Sequence, residues 1–87
     1  MSRWSVYILR CGDGSLYTGI STDVDTRVRA HNAGKGAAYT RSHLPVELIW
    51  QKRMASESAA RKREAAIKAM GKKEKETLVT GQKRPWR

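Results

Sequence analysis

Two stretches of the chain alternate at the two-residue period of half-buried strands. In the first, Trp4, Val6 and Ile8 alternate with Ser5, Tyr7 and Leu9; in the second, Leu16, Thr18 and Ile20 alternate with Tyr17 and Gly19. Cys11-Gly12-Asp13-Gly14-Ser15 lies between them and carries turn residues, so Trp4 to Ile20 reads as a β-hairpin. A helical pattern starts at Thr22 or Asp23, where Thr22 and Asp25 resemble a capping box, and Gly34 is placed to stop that helix after Asn32. The glycine-rich segment Gly34 to Ala38 leads as a loop into Tyr39-Thr40-Arg41. Pro45 then precedes a third strand, Val46 to Trp50. Ser56 is the expected cap of a second helix running to about Met70, with Gly71 as terminator and a short charged helix from Lys72 to Val79 behind it. The expected order is β-β-α-β-α-α, an α/β (α+β) fold in which helices flank a small three-stranded antiparallel sheet.

The hairpin loop decides which side chains share a face. A two-residue loop at Asp13-Gly14 would pair residue 10 with 17 and send Tyr7 and Tyr17 to opposite faces. A three-residue loop, Gly12 to Gly14, pairs 9 with 17 and 7 with 19. Trp4, Val6, Ile8, Leu16 and Ile20 then form one apolar face, and both tyrosines and Gly19 lie on the other. The odd-length loop is the expectation, because it alone separates a core face from a site face.

Composition narrows the function. The 87 residues leave room for one small domain, residues 1–80, with 81–87 as a basic tail. Lys and Arg number 18 against 8 acidic residues, a net charge of +10 that favours a polyanionic partner: nucleic acid first, an anionic membrane surface second. No apolar run approaches the ~20 residues needed to span a bilayer. A lone cysteine, Cys11, makes no internal disulfide and no structural zinc site, which points to a reducing, cytoplasmic setting and to no disulfide-linked partner.

Phosphodiester hydrolysis needs a deprotonated nucleophile, countercharge for a pentavalent transition state and help for the leaving oxygen. Val6-Tyr7-Ile8, ten residues ahead of Tyr17-Thr18-Gly19, resembles the paired tyrosine motifs of the GIY-YIG nucleases. The likeness continues through Arg27 and His31 to Glu64, covers about Trp4 to Val79, and is nearest to the small stand-alone bacterial members. It implies that one of Tyr7 and Tyr17 activates the attacking water while the other orders the site. It further implies Arg27 as phosphate clamp, His31 as proton relay or phosphate ligand, and Gly19 as a structural part of the site. Glu64 matches the metal-ligand position and would hold a weakly bound Mg²⁺ (or Mn²⁺) that completes its shell with water and substrate. The first triplet departs from the family name at Ser5 and Val6, the second at Thr18, and the late asparagine of many relatives has no counterpart beyond Asn32.

Lys35, Tyr39 and Arg41 are further candidates for nucleic-acid contact, two for charge and one for stacking, and Arg61 and Arg63 could extend the track. Read blandly, the same residues are a surface loop and a solvated helix face with an ion pair from Glu64 to Arg61 or Lys68. His43 and Trp86 acquire no role. The function expected is a Mg²⁺-dependent endonuclease that selects DNA by structure rather than sequence, DNA being favoured over RNA. The alternative is a non-catalytic DNA- or RNA-binding module on the same scaffold.

Overall fold

The computed structural model describes residues 2–81. The expected tail beyond Gly81, including Trp86, lies outside them. β1 (Ser5–Arg10) and β2 (Leu16–Ser21) pair antiparallel, with Tyr7 opposite Gly19 and Leu9 opposite Tyr17. The Cys11 N–H donates to the Ser15 carbonyl at 2.8 Å, which leaves Gly12 to Gly14 as the odd-length connection. β3 (Glu47–Arg53) pairs antiparallel with the other edge of β1, giving the order β2-β1-β3. The β1–β3 register slips between Ile8, opposite Trp50, and Leu9, opposite Leu48. That bulge lets the consecutive residues Ile49 and Trp50 both enter the core, which strict alternation forbids.

The helices follow the expected order with adjusted ends. α1 (Val24–Asn32) is capped by Asp23 rather than Thr22: the Asp23 carboxylate accepts from the Thr26 N–H at 3.2 Å and from the Thr26 hydroxyl at 2.8 Å. Gly34 follows its C-terminus with φ of 79°. An extra single turn, α2 (Ala38–Arg41), forms where the sequence suggests only loop. α3 (Glu57–Lys68) starts at the Ser56 cap, and α4 (Lys72–Thr80) follows Gly71. Among the described residues no helix is long and apolar enough to cross a membrane.

Both faces of the sheet are covered. On one, Val6, Ile8, Ile49 and Trp50 pack with Ile67 of α3 and Val79 of α4, with Leu16 and Ile20 at the margin. Trp4 lies just ahead of β1 and is only half-buried. The tyrosine face carries a second apolar cluster, Tyr7, Leu9, Cys11, Val24 and Val46, with Tyr17, Val28 and Leu48 against it. The tyrosines thus lie opposite the core of Val6 and Ile8 as the register expects, but their face is a second core and not a site alone. Burying a side chain such as Leu9 is worth ~1.5–3 kcal/mol, so α1 and the chain around Val46 close over that face as well. Asn32 ties these covers together: its side-chain amide donates to the Val46 carbonyl at 3.0 Å and accepts from the Val46 N–H at 2.8 Å. It thus holds α1 to the start of β3 and takes no part in the tyrosine cluster.

Candidate active site

Tyr7 stands at the centre of the tyrosine face with 1% of its surface exposed. Its ring lies across the edge strand: a Cβ built on Gly19 would stand 2.5 Å from the Tyr7 hydroxyl oxygen and 2.7 Å from the ring carbon that bears it. Only a residue without a side chain fits opposite this phenol. The Tyr7 hydroxyl reaches His31 Nε2 at 3.0 Å, and His31, at 0% exposure, reaches the Thr40 hydroxyl through Nδ1 at 2.8 Å.

These contacts set the histidine tautomer. The single Thr40 hydroxyl proton goes to the Ala37 carbonyl at 2.9 Å, so Thr40 must accept from His31 Nδ1–H. Nε2 is then left with its lone pair, and Tyr7 donates to it. Burial, and secondarily the positive charge of Arg27, lower the His31 pKa below its ordinary value, so the ring is neutral near pH 7. Thr40 and Gly36 have no signal in the linear sequence. Gly36 passes so close to His31 that any Cβ would overlap the imidazole.

Arg27 and Glu64 approach the same phenol from two helices. Burial pushes the Tyr7 pKa up to about 12, the Arg27 guanidinium beside it pulls down, and the charges of Tyr17 and Glu64 push up further. Glu64 lies on α3 between Ala60 and Ile67, which anchor that helix to the sheet. Its side chain is 21% exposed and pairs with Lys68 at 3.2 Å. Tyr17 meets His31 edge-on, with ring centroids 5.3 Å apart. The Tyr7 hydroxyl is thus bonded to His31, whose ring Tyr17 also meets, and it feels the charges of Arg27 and Glu64.

The other candidates fall elsewhere. Lys35 and Arg41 are exposed in the covering segment, and Tyr39 stacks at the site's outer edge. Arg61 is exposed and bound to Glu57 at 2.6 Å. Arg63 lines a cavity of about 450 Å³ with Trp50, Lys52 and Leu78, on the sheet face away from the tyrosines. Another cavity of about 300 Å³, lined by Arg3, Asp23, Asp25 and Arg53, lies at the start of α1. Neither cavity is lined by Tyr7, Tyr17, Arg27, His31 or Glu64.

No group of three or more His, Cys, Asp or Glu side chains is placed to hold a metal among the described residues. The donor set near Tyr7 is one hard carboxylate, partly open to solvent. Such a set fits a hydrated Mg²⁺ or Mn²⁺ that takes its other ligands from water and phosphate, and it does not fit zinc.

Comparison with known proteins identifies the family. The family model described as the GIY-YIG catalytic domain matches residues 3–78. A UPF0213 protein of Staphylococcus haemolyticus is 44% identical over 79 residues, spanning 91% of this chain and 96% of that protein. One of Natronomonas pharaonis is 51% identical over 74 residues, spanning 85% and 87%. The solution structure of a UPF0213 protein from Bacillus halodurans is 42% identical, with a TM-score of 0.61, covering 95% of this chain and 88% of that one. The chain belongs to the GIY-YIG family of nuclease-type catalytic domains, in the company of the small single-domain UPF0213 proteins.

Proposed function

We propose that this protein is a divalent-metal-dependent endonuclease that cleaves phosphodiester bonds in structured DNA, such as branches, nicks or flaps. The observation that carries the proposal is the buried Tyr7–His31 hydrogen bond, with Tyr17 against the same imidazole and the charges of Arg27 and Glu64 acting on the phenol. No helix-turn-helix or zinc-finger element is present among the described residues, so recognition rests on nucleic-acid shape. The lone buried thiol, Cys11, fits a reducing, cytoplasmic setting.

Glu64 would hold Mg²⁺ (or Mn²⁺), which when bound supplies charge for the phosphate and a more acidic water. Arg27, always protonated, binds the phosphate and stabilises the charge gathered at the pentavalent transition state. Tyr7 orients the attacking water by accepting a hydrogen bond from it at Oη, while its own proton is donated to His31 Nε2, which fixes that hydroxyl. In the resting protein Tyr7 cannot hand its proton to His31. A phenol near 12 and an imidazole below 6.5 differ by more than ~5 pKa units, upward of ~7 kcal/mol. Tyr7 is therefore a protonated positioning group in the resting protein near pH 7. Tyr17 braces the imidazole through its ring edge.

The experiment is Mg²⁺-dependent cleavage of a panel of nicked, flapped and branched DNAs and structured RNAs at one salt concentration. Cleavage should disappear in Tyr7→Phe, Arg27→Ala and Glu64→Ala proteins that still bind. Full cleavage by Glu64→Ala would sink the site. A second reading, a non-catalytic binder, draws support from the Lys68 ammonium that already satisfies Glu64. Binding without cleavage across the whole panel would decide for it.

A further inference from the structure

Tyr39 is the most exposed large apolar side chain in the described structure, at 43% of its surface, yet it is firmly held. Its hydroxyl donates to the Ser15 hydroxyl oxygen in the hairpin turn at 2.6 Å. The His43 ring lies on the Tyr39 ring with centroids 4.3 Å apart and planes 15° from parallel. His43 is pinned in turn, through Nδ1 to the Tyr39 carbonyl at 2.6 Å and through Nε2 to Asp13 at 3.5 Å. On the inner side Tyr17 is nearly parallel to Tyr39, at 16° and 6.3 Å, and Tyr17 meets His31, the partner of Tyr7. A column of rings therefore runs from solvent to the buried phenol.

We propose that Tyr39 and His43, stacked face to face with the outer His43 face open at the end of the column, form a stacking shelf for one unpaired nucleobase beside the phosphate held at Arg27, so that the site selects strands with unpaired nucleotides. The proposal rests on the nuclease reading for where the phosphate sits, and it concerns binding rather than cleavage. Three features of the shelf support it. An exposed aromatic ring whose orientation is already fixed loses little entropy on stacking, which a floppy surface tyrosine would. Stacking accepts any base, in keeping with the absence of a helix-turn-helix or zinc finger among the described residues. A base inside a duplex already has both faces covered, so only an unpaired one can join the column. Lys35 and Arg41, both exposed on the same covering segment, supply charge for the strand's phosphates. The same surface fits DNA and RNA, since both offer an unpaired base on a phosphate chain.

The test is equilibrium binding by fluorescence anisotropy in EDTA, where no metal-dependent cleavage occurs. The ligands are a short oligothymidylate, the same strand with its bases removed, a blunt duplex and an oligouridylate. The proteins are wild type, Tyr39→Ala, His43→Ala and Tyr39→Trp. On the oligothymidylate, Tyr39→Ala should weaken binding by about 5- to 100-fold, while Tyr39→Trp retains it. On the abasic strand and the duplex the Tyr39→Ala change should be under ~2-fold, because only phosphate contacts are left there. Wild type should itself bind the abasic strand more weakly than the base-bearing one by a factor similar to the Tyr39→Ala loss. The oligouridylate shows whether the shelf takes RNA as well. Equal losses on all ligands, or wild-type binding indifferent to the bases, would overturn the shelf. If Tyr39→Ala does not fold, His43→Ala and the wild-type abasic comparison test the shelf in its place. A protein that cleaves DNA but ignores the bases keeps the nuclease reading and loses the shelf. One that stacks bases and cuts nothing does the reverse.

Discussion

Gly19→Ala isolates the packing on which the site depends. A methyl at residue 19 would lie 2.5 Å from the Tyr7 hydroxyl oxygen, 2.7 Å from the carbon bearing it and 3.1 Å from the neighbouring ring carbon. The ring cannot swing freely, since Tyr7 is 1% exposed and its hydroxyl is tied to His31. Overpacking of this kind costs ~1–3 kcal/mol. Displacing the phenol also loses a buried hydrogen bond worth ~1 kcal/mol net. Alanine returns ~0.5–1 kcal/mol through the unfolded chain, because glycine has more freedom to lose. The net expectation is a loss of ~1–3 kcal/mol, which in a domain this small lowers Tm by roughly 5–20 °C. Activity should fall further, by ~100-fold, because a shift of about 1 Å in a reacting group has that effect. Urea denaturation of Gly19→Ala in wild-type and Tyr7→Ala backgrounds checks the cause. With the ring gone, the added methyl meets no phenol, and the substitution should be neutral or stabilising by up to ~1 kcal/mol. The same destabilisation in both backgrounds would refute the account, since the strain would then lie somewhere other than between residue 19 and Tyr7.

The Thr18 hydroxyl is buried on the opposite, apolar face with no hydrogen-bond partner among the described residues, so Thr18→Val should stabilise the protein by ~1 kcal/mol in thermal denaturation; a destabilised variant would mean the hydroxyl is satisfied. Tyr7 is protonated in the folded chain up to about pH 12 and in the unfolded chain only up to about 10, so its contribution to stability is complete below pH 10 and disappears by pH 12. The stability difference between wild type and Tyr7→Phe should shrink by ~2–3 kcal/mol across that window, about half of it by pH 11, and a difference that stays flat or widens would contradict the burial of the phenol. Asn32→Ala removes both hydrogen bonds to the Val46 backbone and should cost ~1–3 kcal/mol by urea denaturation while leaving substrate affinity per folded molecule unchanged. Lys68→Gln frees Glu64 from its ion pair and should lower the Mg²⁺ concentration for half-maximal cleavage by ~2- to 5-fold, whereas a higher requirement would argue that Lys68 serves the site directly.

Much of this architecture is legible in the chain because local chemistry and global packing agree. The Gly12 to Gly14 connection, the register that faces Tyr7 toward Gly19, and the Ser56 cap all follow from alternation and turn residues. What escapes a linear reading depends on partners distant in sequence. The β3 bulge at Ile49 is a response to packing against β1 and α3, and a run of apolar residues reads the same with or without it. Thr40 matters because it fixes the tautomer of His31, nine residues earlier, and no periodicity links the two. Amphipathic tyrosines suggest a face free of core; Leu9, Cys11, Val24 and Val46 outweigh them and draw a second cover over the sheet. The helix stripe places Glu64 at the edge of the buried face but leaves its partner open between Arg61 and Lys68. Arg61 is taken by Glu57, and Lys68 is the ion that Glu64 meets.

The second cover explains how one tyrosine belongs to both the core and the site. Burial puts the Tyr7 pKa near 12, so at pH 7 only about one phenol in 10⁵ is ionised. A phenolate formed there is a strong base, and the same burial makes it scarce. Two charged neighbours act on this balance in opposite senses, Arg27 lowering the pKa and Glu64 raising it. Neutralising Glu64 with any bound cation removes one of the influences that keep the proton on Tyr7 and leaves Arg27 unopposed by it. If Glu64 holds the cation as proposed, its occupancy and the acidity of Tyr7 would be coupled through space, although the two residues sit on different elements. Glu64→Gln should accordingly lower the Tyr7 pKa, readable as an earlier rise of phenolate absorbance in alkaline titration against a Tyr7→Phe control. An unchanged titration would show that the carboxylate is too well screened by Lys68 and water to govern the phenol, and the link between metal site and proton site would have to be sought in the substrate instead.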